Sequence, residues 1–437
     1  MLIFYKSTTS TIYAVKFRQA LSQEDDEKLI WLFGDAKHLT DNKIDGTFVG
    51  PRKEMITPWS TNAVEITQNM GIQGVERIER FEPVAEGSEP VFDKMLQRVY
   101  QDIDENVFTI DKKPDPVVHI DDMRAYNQKE GLALSEPEIQ YLKGLAKQLG
   151  RPLTDSEVFG FSQVNSEHCR HKIFGGTFII DGKEKPESLF QLIKNTSKAN
   201  PRGIVSAYKD NVAFLDGHKA EQFAPERPDQ PSEFEIKDVD TVLSMKAETH
   251  NFPTTVEPFN GAATGSGGEI RDRMAGGKGS FPIAGTAVYM TSYPRFEDDN
   301  RKWEQNIEER KWLYQTPVEI LIKASNGASD FGNKFGQPLI NGSLLTFEHK
   351  EGGQTYGFDK VIMQAGGVGY ARRQDSIKGT PTPDLPIVIL GGDNYRIGMG
   401  GGAVSSVATG QYKNDIELNA VQRSTPELQK RVYNAIR

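Results

Sequence analysis

The chain has a single cysteine, Cys169, among its 437 residues, so no disulfide can form within it, which suits a reducing compartment. Long apolar runs are missing too: none approaches the ~18 residues that a membrane span needs. The first ten residues, MLIFYKSTTS, start like a strand and carry no basic segment followed by a cleavage site. Nor is there an excess of positive charge. Lys and Arg number 52 against 61 Asp and Glu, a net charge of −9, which argues against a general nucleic-acid binder. No G-x-x-x-x-G-K-[ST] occurs, which excludes a P-loop. These absences point to a cytoplasmic, soluble protein with no membrane or nucleic-acid partner, long enough for two or three domains.

The chain is organised around Val239–Asp272. An apolar run, Val239–Met245, reads as a buried strand. At its end a period of two puts Lys246, Glu248 and His250 on one face and Leu243, Met245 and Ala247 on the other. The apolar face is expected to enter a core, leaving an ammonium, a carboxylate and an imidazole side by side. Pro253 and Pro258 then break regularity. Gly261, Gly265, Gly267 and Gly268 follow and read as a loop whose backbone N–H groups can approach an anion, ahead of Glu269, Arg271 and Asp272. A cation, carboxylates and an amide-rich loop suit a magnesium–nucleotide site. The competing reading is a structural turn flanked by surface charge.

Elsewhere, Leu2–Tyr5 and Ile12–Phe17 read as short strands, Glu24–Phe33 as a helix, Ser60 or Thr61 as the cap of a helix reaching Met70, and Val75–Phe81 as an alternating strand. Phe92–Asp102 is expected to be helical, and Asp111–Pro116, DKKPDP, reads as a linker. Capping boxes at Ser135–Glu138 and Thr154–Glu157 open two helices, the first closed by Gly150. Polar, proline-containing Pro201–Phe234 reads as a boundary. Asn300–Trp312 is expected as an exposed helix, Ala328–Leu345 as a second glycine-rich region, Val361–Ala371 as a strand, Asp384–Leu390 as a short buried strand, and Pro426–Arg437 as the start of a helix at which the chain stops.

Two further clusters have competing readings. In NSEHCRH, Asn165–His171, helical spacing would put His168 and His171 on one face. Zinc would need further soft ligands, a cysteine nucleophile would need a base across the fold, and general acid–base work by a histidine suits imidazole chemistry, beside the plain alternative of a solvated helix end. Gly398–Ala403 matches G-x-G-x-x-A, yet seven residues separate it from the preceding strand, whereas a dinucleotide fold puts the glycines directly after the strand.

Taken together, the stretches TPWSTNA (57–63), GVERIER (74–80), NSEHCRHKIF (165–174), ETHNFPTTVEPFNGAATGSGGEIRD (248–272), NKFGQPLINGS (333–343), MQAGGVG (363–369) and GGDNYRIGMGGGAVSSV (391–407) resemble the phosphoribosylformylglycinamidine synthase family in its large single-chain form. The resemblance implies an α+β architecture: an N-terminal ferredoxin-like domain (1–130), a helical linker domain (131–215), a synthetase N-terminal α+β subdomain (216–380), and the start of a C-terminal subdomain (381–437), the first half of an aminoimidazole-ribonucleotide-synthetase-like core. It implies an ATP-dependent carbon–nitrogen ligase of purine biosynthesis that amidates formylglycinamide ribonucleotide with ammonia, with ATP and Mg²⁺ as cofactors. The implied partners are those small molecules and the remainder of a longer chain carrying a glutaminase domain. By position, His168 and His250 would be catalytic. Lys246, His171 and Gly261, Ala262, Ala263, Thr264, Gly265, Ser266, Gly267 and Gly268 would meet ATP. Thr249, Asn251 and Arg271 would meet substrate, and Glu248 and Asp272 would hold the metal. The family has histidine where this chain has Phe252, which removes a polar role there. Cys169 lies outside any glycine-flanked nucleophile elbow, so glutamine hydrolysis is not expected, and an open half-core is expected to turn over little by itself. The alternative is a fragment that binds nucleotide without catalysis.

Overall fold

Alternating apolar residues set the first sheet. The strands β1 (Leu2–Lys6), β2 (Ile12–Phe17), β3 (Lys37–Leu39), β4 (Lys43–Pro51), β5 (Val75–Pro83) and β6 (Gln97–Asp104) pair antiparallel in the order β3-β1-β2-β5-β4-β6. Tyr5, Val15, Phe17, Val75 and Ile78 bury one face against Leu29 of α1 (Gln23–Leu32) and Ala63 of α2 (Pro58–Asn69). Phe4, Ile12, Ala14, Phe48, Phe81 and Tyr100 fill the other face. The computed structural model describes residues 1–53, 56–93, 96–110, 115–165, 171–227, 229–296, 301–305, 307–310, 315–390, 418 and 421–436. They divide into two units, one built on Met1–Asp115 and the other on Pro116–Ile387 with the C-terminal helix. The division between them falls between Asp115 and Pro116.

In the second unit, β7 (His119–Ile120) pairs with β8 (Leu153–Thr154) around α3 (Met123–Glu130), α4 (Glu136–Leu149) and α5 (Asp155–Val164). Both capping boxes form, and Gly150 ends α4 in the left-handed conformation at φ 66°. Then come α6 (His171–Gly175), the small hairpin β9 (Ile179–Ile180) and β10 (Lys183–Glu184), and α7 (Leu189–Ala199). A second sheet has the order β11-β12-β13-β18-β14-β15, from β11 (Ile204–Ser206), β12 (Ala213–Pro225), β13 (Phe234–Thr249), β14 (Phe281–Thr291), β15 (Leu339–Thr346) and β18 (Ile362–Arg372). A separate hairpin joins β16 (Glu348–Glu351) to β17 (Gln354–Gly357). The helices α8 (Asn251–Val256), α9 (Pro258–Ala275) and α10 (Pro317–Phe335) lie on one face of the sheet, with Ala262, Ala287, Ala324, Ala328, Met363 and Ala365 buried between them. The helix α11 (Pro426–Ile436) packs Tyr433 against Phe335 and Phe281, and its hydroxyl donates to Ser280 O at 3.1 Å.

Several expectations are overturned. Among the described residues of Phe92–Asp102 there is no helix: β6 runs from Gln97, because pairing with β4 satisfies its backbone and buries Tyr100 and Ile103. The polar Pro201–Phe234 stretch is no boundary, since β12 pairs with β13 over most of its length and its polar side chains face solvent. Asp384–Leu390 forms no strand and is exposed, Ile387 and Ile389 at 92% each, with no partner strand among the described residues. Of Asn300–Trp312, only a single turn at Lys302–Glu304 is seen among the described residues. The burial of β13 is also reversed. Leu243 and Met245 are exposed (37% and 45%), and the face bearing Ser244, Lys246 and Glu248 turns toward α9.

Candidate functional site

The most consequential correction concerns Gly261–Gly268. This stretch is no loop but the middle of α9, and Gly261, Ala262, Ala263, Thr264, Gly265, Ser266 and Gly267 are buried. Inside a helix the backbone N–H groups are already committed to carbonyls four residues back, as Gly261 N donates to Glu257 O at 2.7 Å. These amides therefore cannot cradle a phosphate. The glycines serve close packing instead. A Cβ at Gly261 would overlap the Pro253 backbone, and one at Gly265 would come 2.8 Å from Met363 Sδ and 3.0 Å from His250 Cβ. Each interior glycine costs about 1 kcal/mol of helix propensity; here that cost is offset by letting α9 lie directly on β13 and β18.

That close approach assembles the charged groups. Lys246 Nζ lies 2.7 Å from Asp272 Oδ2 and 3.8 Å from Glu248 Oε2, so two carboxylates 24 positions apart share one ammonium. All three side chains are mostly buried. Arg271 completes the cluster, held by a 3.3 Å bond from its Nη1 to Gln429 Oε1 of α11. Burial drives the Glu248 carboxyl up, with Asp272 adding to the rise and Lys246 and Arg271 opposing it, to about 7. Burial likewise lowers Arg271, while Glu248 and Asp272 raise it.

The shift of Glu248 carries a sign. The unfolded carboxyl titrates near 4.5 and the folded one near 7, so its contribution to stability is complete below pH 4.5 and is lost as pH rises through 7. The expected loss between pH 5 and 8 is about 3 kcal/mol. Urea unfolding at pH 5, 6, 7 and 8 should show this slope in the parent and a flatter one in Glu248→Gln; parallel profiles would contradict it.

His250 closes the strand. Its Nδ1 faces Gly261 O, so that nitrogen carries the hydrogen and Nε2 is the proton-accepting atom of the neutral ring. Thr249 is exposed at the end of β13. Asn251 accepts from Met363 N through Oδ1 at 3.2 Å, a bond that pins α8 to β18. Phe252 is 3% exposed with Lys360 Nζ 5.8 Å above its ring, so a buried aromatic ring within cation–π reach of an ammonium occupies this position. His171 opens α6, is exposed, and stacks on Phe190 at 5.5 Å. His168 and Cys169, and with them the expected approach of His168 to the 246–272 stretch, lie outside the described residues, as does Gly391–Val407.

Two features escaped sequence reading. Glu269 is not in the cluster with Glu248 and Asp272 but pairs with Arg273 at 2.7 Å, and Gln337 bonds both; all three are at most 1% exposed. The four-residue spacing of Glu269 and Arg273 was the available signal. Gln429 had none, being 158 residues from its partner Arg271.

Among the described residues no set of three or more His, Cys, Asp or Glu is placed to hold a metal. Two carboxylates are nevertheless the donor set that magnesium takes when phosphate oxygens and water supply the rest. Glu248 and Asp272 fit that pattern, with Lys246 as the counter-ion already between them. Among the described residues, no helix is long and apolar enough to cross a membrane.

Residues 10–107 match the family model described as formylglycinamide ribonucleotide amidotransferase N-terminal, and residues 123–172 match the linker domain of the same family. The resemblance read from the motifs is thus upheld across those two segments. A Thermotoga maritima PurL structure complexed with FGAR overlaps 68% of this chain and 36% of its own, at 20% identity and a TM-score of 0.37. The T. maritima PurL structure complexed with ATP overlaps 54% and 27%, at 21% identity and a TM-score of 0.28. The chain therefore spans about a third of the length of these solved structures, and overlaps this loose transfer no geometry.

Proposed function

We propose that this chain carries the nucleotide-activating part of an ATP-dependent carbon–nitrogen ligase that converts formylglycinamide ribonucleotide to formylglycinamidine ribonucleotide. One observation carries the reading: α9 brings Asp272 and Arg271 onto Lys246 and Glu248 at the end of β13. Phosphoryl transfer asks a protein chiefly for positioning and for neutralisation of developing charge, which this cluster offers. In this reading Glu248 and Asp272 hold Mg²⁺, which when bound neutralises phosphate charge. Lys246 meets the transferring phosphate, and Arg271, kept in place by Gln429, meets the phosphorylated substrate together with Thr249 and Asn251. Nε2 of His250 takes or returns a proton. His171 meets the nucleotide, and His168 assists the amide-activating step. Ammonia would come from a glutaminase part of a longer protein, and the division into N-terminal, linker and synthetase regions belongs to the same reading.

A second reading, nucleotide binding without turnover, is favoured by the apolar side of β13, where Leu243 and Met245 are 37% and 45% exposed. The decisive experiment combines calorimetry with Mg·ATP and an assay of ADP release from ATP, formylglycinamide ribonucleotide and ammonium. Substrate-dependent release that disappears in Asp272→Ala supports the ligase. Binding without release favours the second reading, and no Mg²⁺-dependent ATP binding at all would remove both.

A further inference from the structure

Gly268 differs from the other glycines of α9 in what surrounds it. A Cβ at Gly261 would strike backbone, one at Gly265 would first meet Met363 Sδ and then His250 Cβ at 3.0 Å, and one at Gly267 would meet the Phe331 ring at 2.6 Å with Arg271 Nη1 next at 2.7 Å, so each of these three stands first against the scaffold. A Cβ at Gly268 would overlap Oε1 of Glu248 and lie 3.2 Å from its Cδ, with Arg271 Nη2 next at 3.7 Å. Its nearest neighbours are thus side chains of the charged cluster alone. Its backbone is helical, without a positive φ, so an L-residue fits the main chain and only the missing methyl is required. The atom that would be struck is the far end of a flexible side chain, so a methyl at 268 would displace the Glu248 carboxylate and leave the helix in place.

We propose that Gly268 is a positioning residue, whose bare Cα reserves the space in which the Glu248 carboxylate sits beside Lys246 and Asp272. The inference rests on the reading of Glu248 and Asp272 as a metal–nucleotide site. It adds that the side-chain volume at 268 sets where the first of these carboxylates stands, so that adding one methyl to the helix acts on cation affinity through Glu248.

The test uses the whole chain, Mg·ATP as probe, calorimetry for affinity and thermal melting for stability. Gly268→Ala is expected to melt at the parental temperature or above, because alanine is the better helix former, while Mg·ATP affinity falls about 10–100-fold, the usual loss when a group orienting a metal ligand is disturbed. In a Glu248→Ala background, adding Gly268→Ala should cause no further loss. Glu248→Asp, shorter by one methylene, should recover part of the affinity lost in Gly268→Ala. Affinity within twofold of the parent, an equal loss in the Glu248→Ala background, or a lowered melting temperature alongside lost binding would each overturn the proposal, the last by making Gly268 a packing residue. A parent chain that binds no Mg·ATP would instead defeat the site reading itself, and the two failures are told apart by that arm.

Discussion

Replacing Lys246 with methionine is expected to lower Mg·ATP-dependent turnover, or Mg·ATP affinity if the chain does not turn over, by roughly 10²–10³-fold. The volume is nearly kept and only the ammonium is lost. That ammonium is the cation against both Asp272 and Glu248, at 2.7 Å and 3.8 Å. Without it two mostly buried carboxylates face each other, and one of them will stay protonated, since like charges at close range cannot both ionise cheaply. A protonated carboxyl is a poor ligand for a hard dication, so the cation affinity falls with the phosphate contact. Lys246→Arg should recover less than a conservative exchange suggests, because a planar guanidinium does not fill the place of a compact point charge. Calorimetry with Mg·ATP, with far-ultraviolet circular dichroism as a control on folding, reads the outcome; a loss under threefold would show that Lys246 is only a structural counter-ion.

The second large effect concerns stability. Arg273→Ala is expected to destabilise the second unit by about 3–5 kcal/mol, because it strands the Glu269 carboxylate in the interior with its cation gone. Arg273 and Glu269 are 0% and 1% exposed, and Gln337 bridges them from the end of α10. Burial already pushes Glu269 up while Arg273 and Gln337 pull it back down. Replacing both charges by apolar residues of similar size, Glu269→Leu with Arg273→Met, should restore most of the loss, since a buried pair repays its desolvation only when complete. Urea midpoints for the single and double variants decide this. If Arg273→Ala unfolds within about 1 kcal/mol of the parent, water has access to the pair and the buried network is not what ties α9 to α10.

The local signals in this chain were reliable where one segment's own chemistry settles the structure. The capping boxes at Ser135 and Thr154 formed because a hydroxyl and a carboxylate three residues on satisfy each other's backbone donors wherever the helix is placed. Val361–Ala371 proved to be β18 within a residue at each end. Phe92–Asp102 misled because its apolar spacing suits either period, and the antiparallel partner β4 decided in favour of the strand.

For the site itself, the period of two along β13 by itself determined that Lys246 and Glu248 share a face opposite Leu243 and Met245, since pleating alone enforces it. Which of those faces would be covered lay with α9, and hydrophobicity pointed to the wrong one. Glycine was the ambiguous letter. A missing Cβ serves a phosphate loop and a close helix packing equally well, and only the neighbours tell them apart: Pro253 at Gly261, Met363 at Gly265, Glu248 at Gly268. The sequence likewise held both partners of Arg271 and Gln429, but their meeting across 158 residues was decided only when α11 packed Tyr433 against Phe335 and Phe281. Residue identity determined which chemistry was possible; burial and long-range packing, which depend on every other segment at once, decided where it could be assembled.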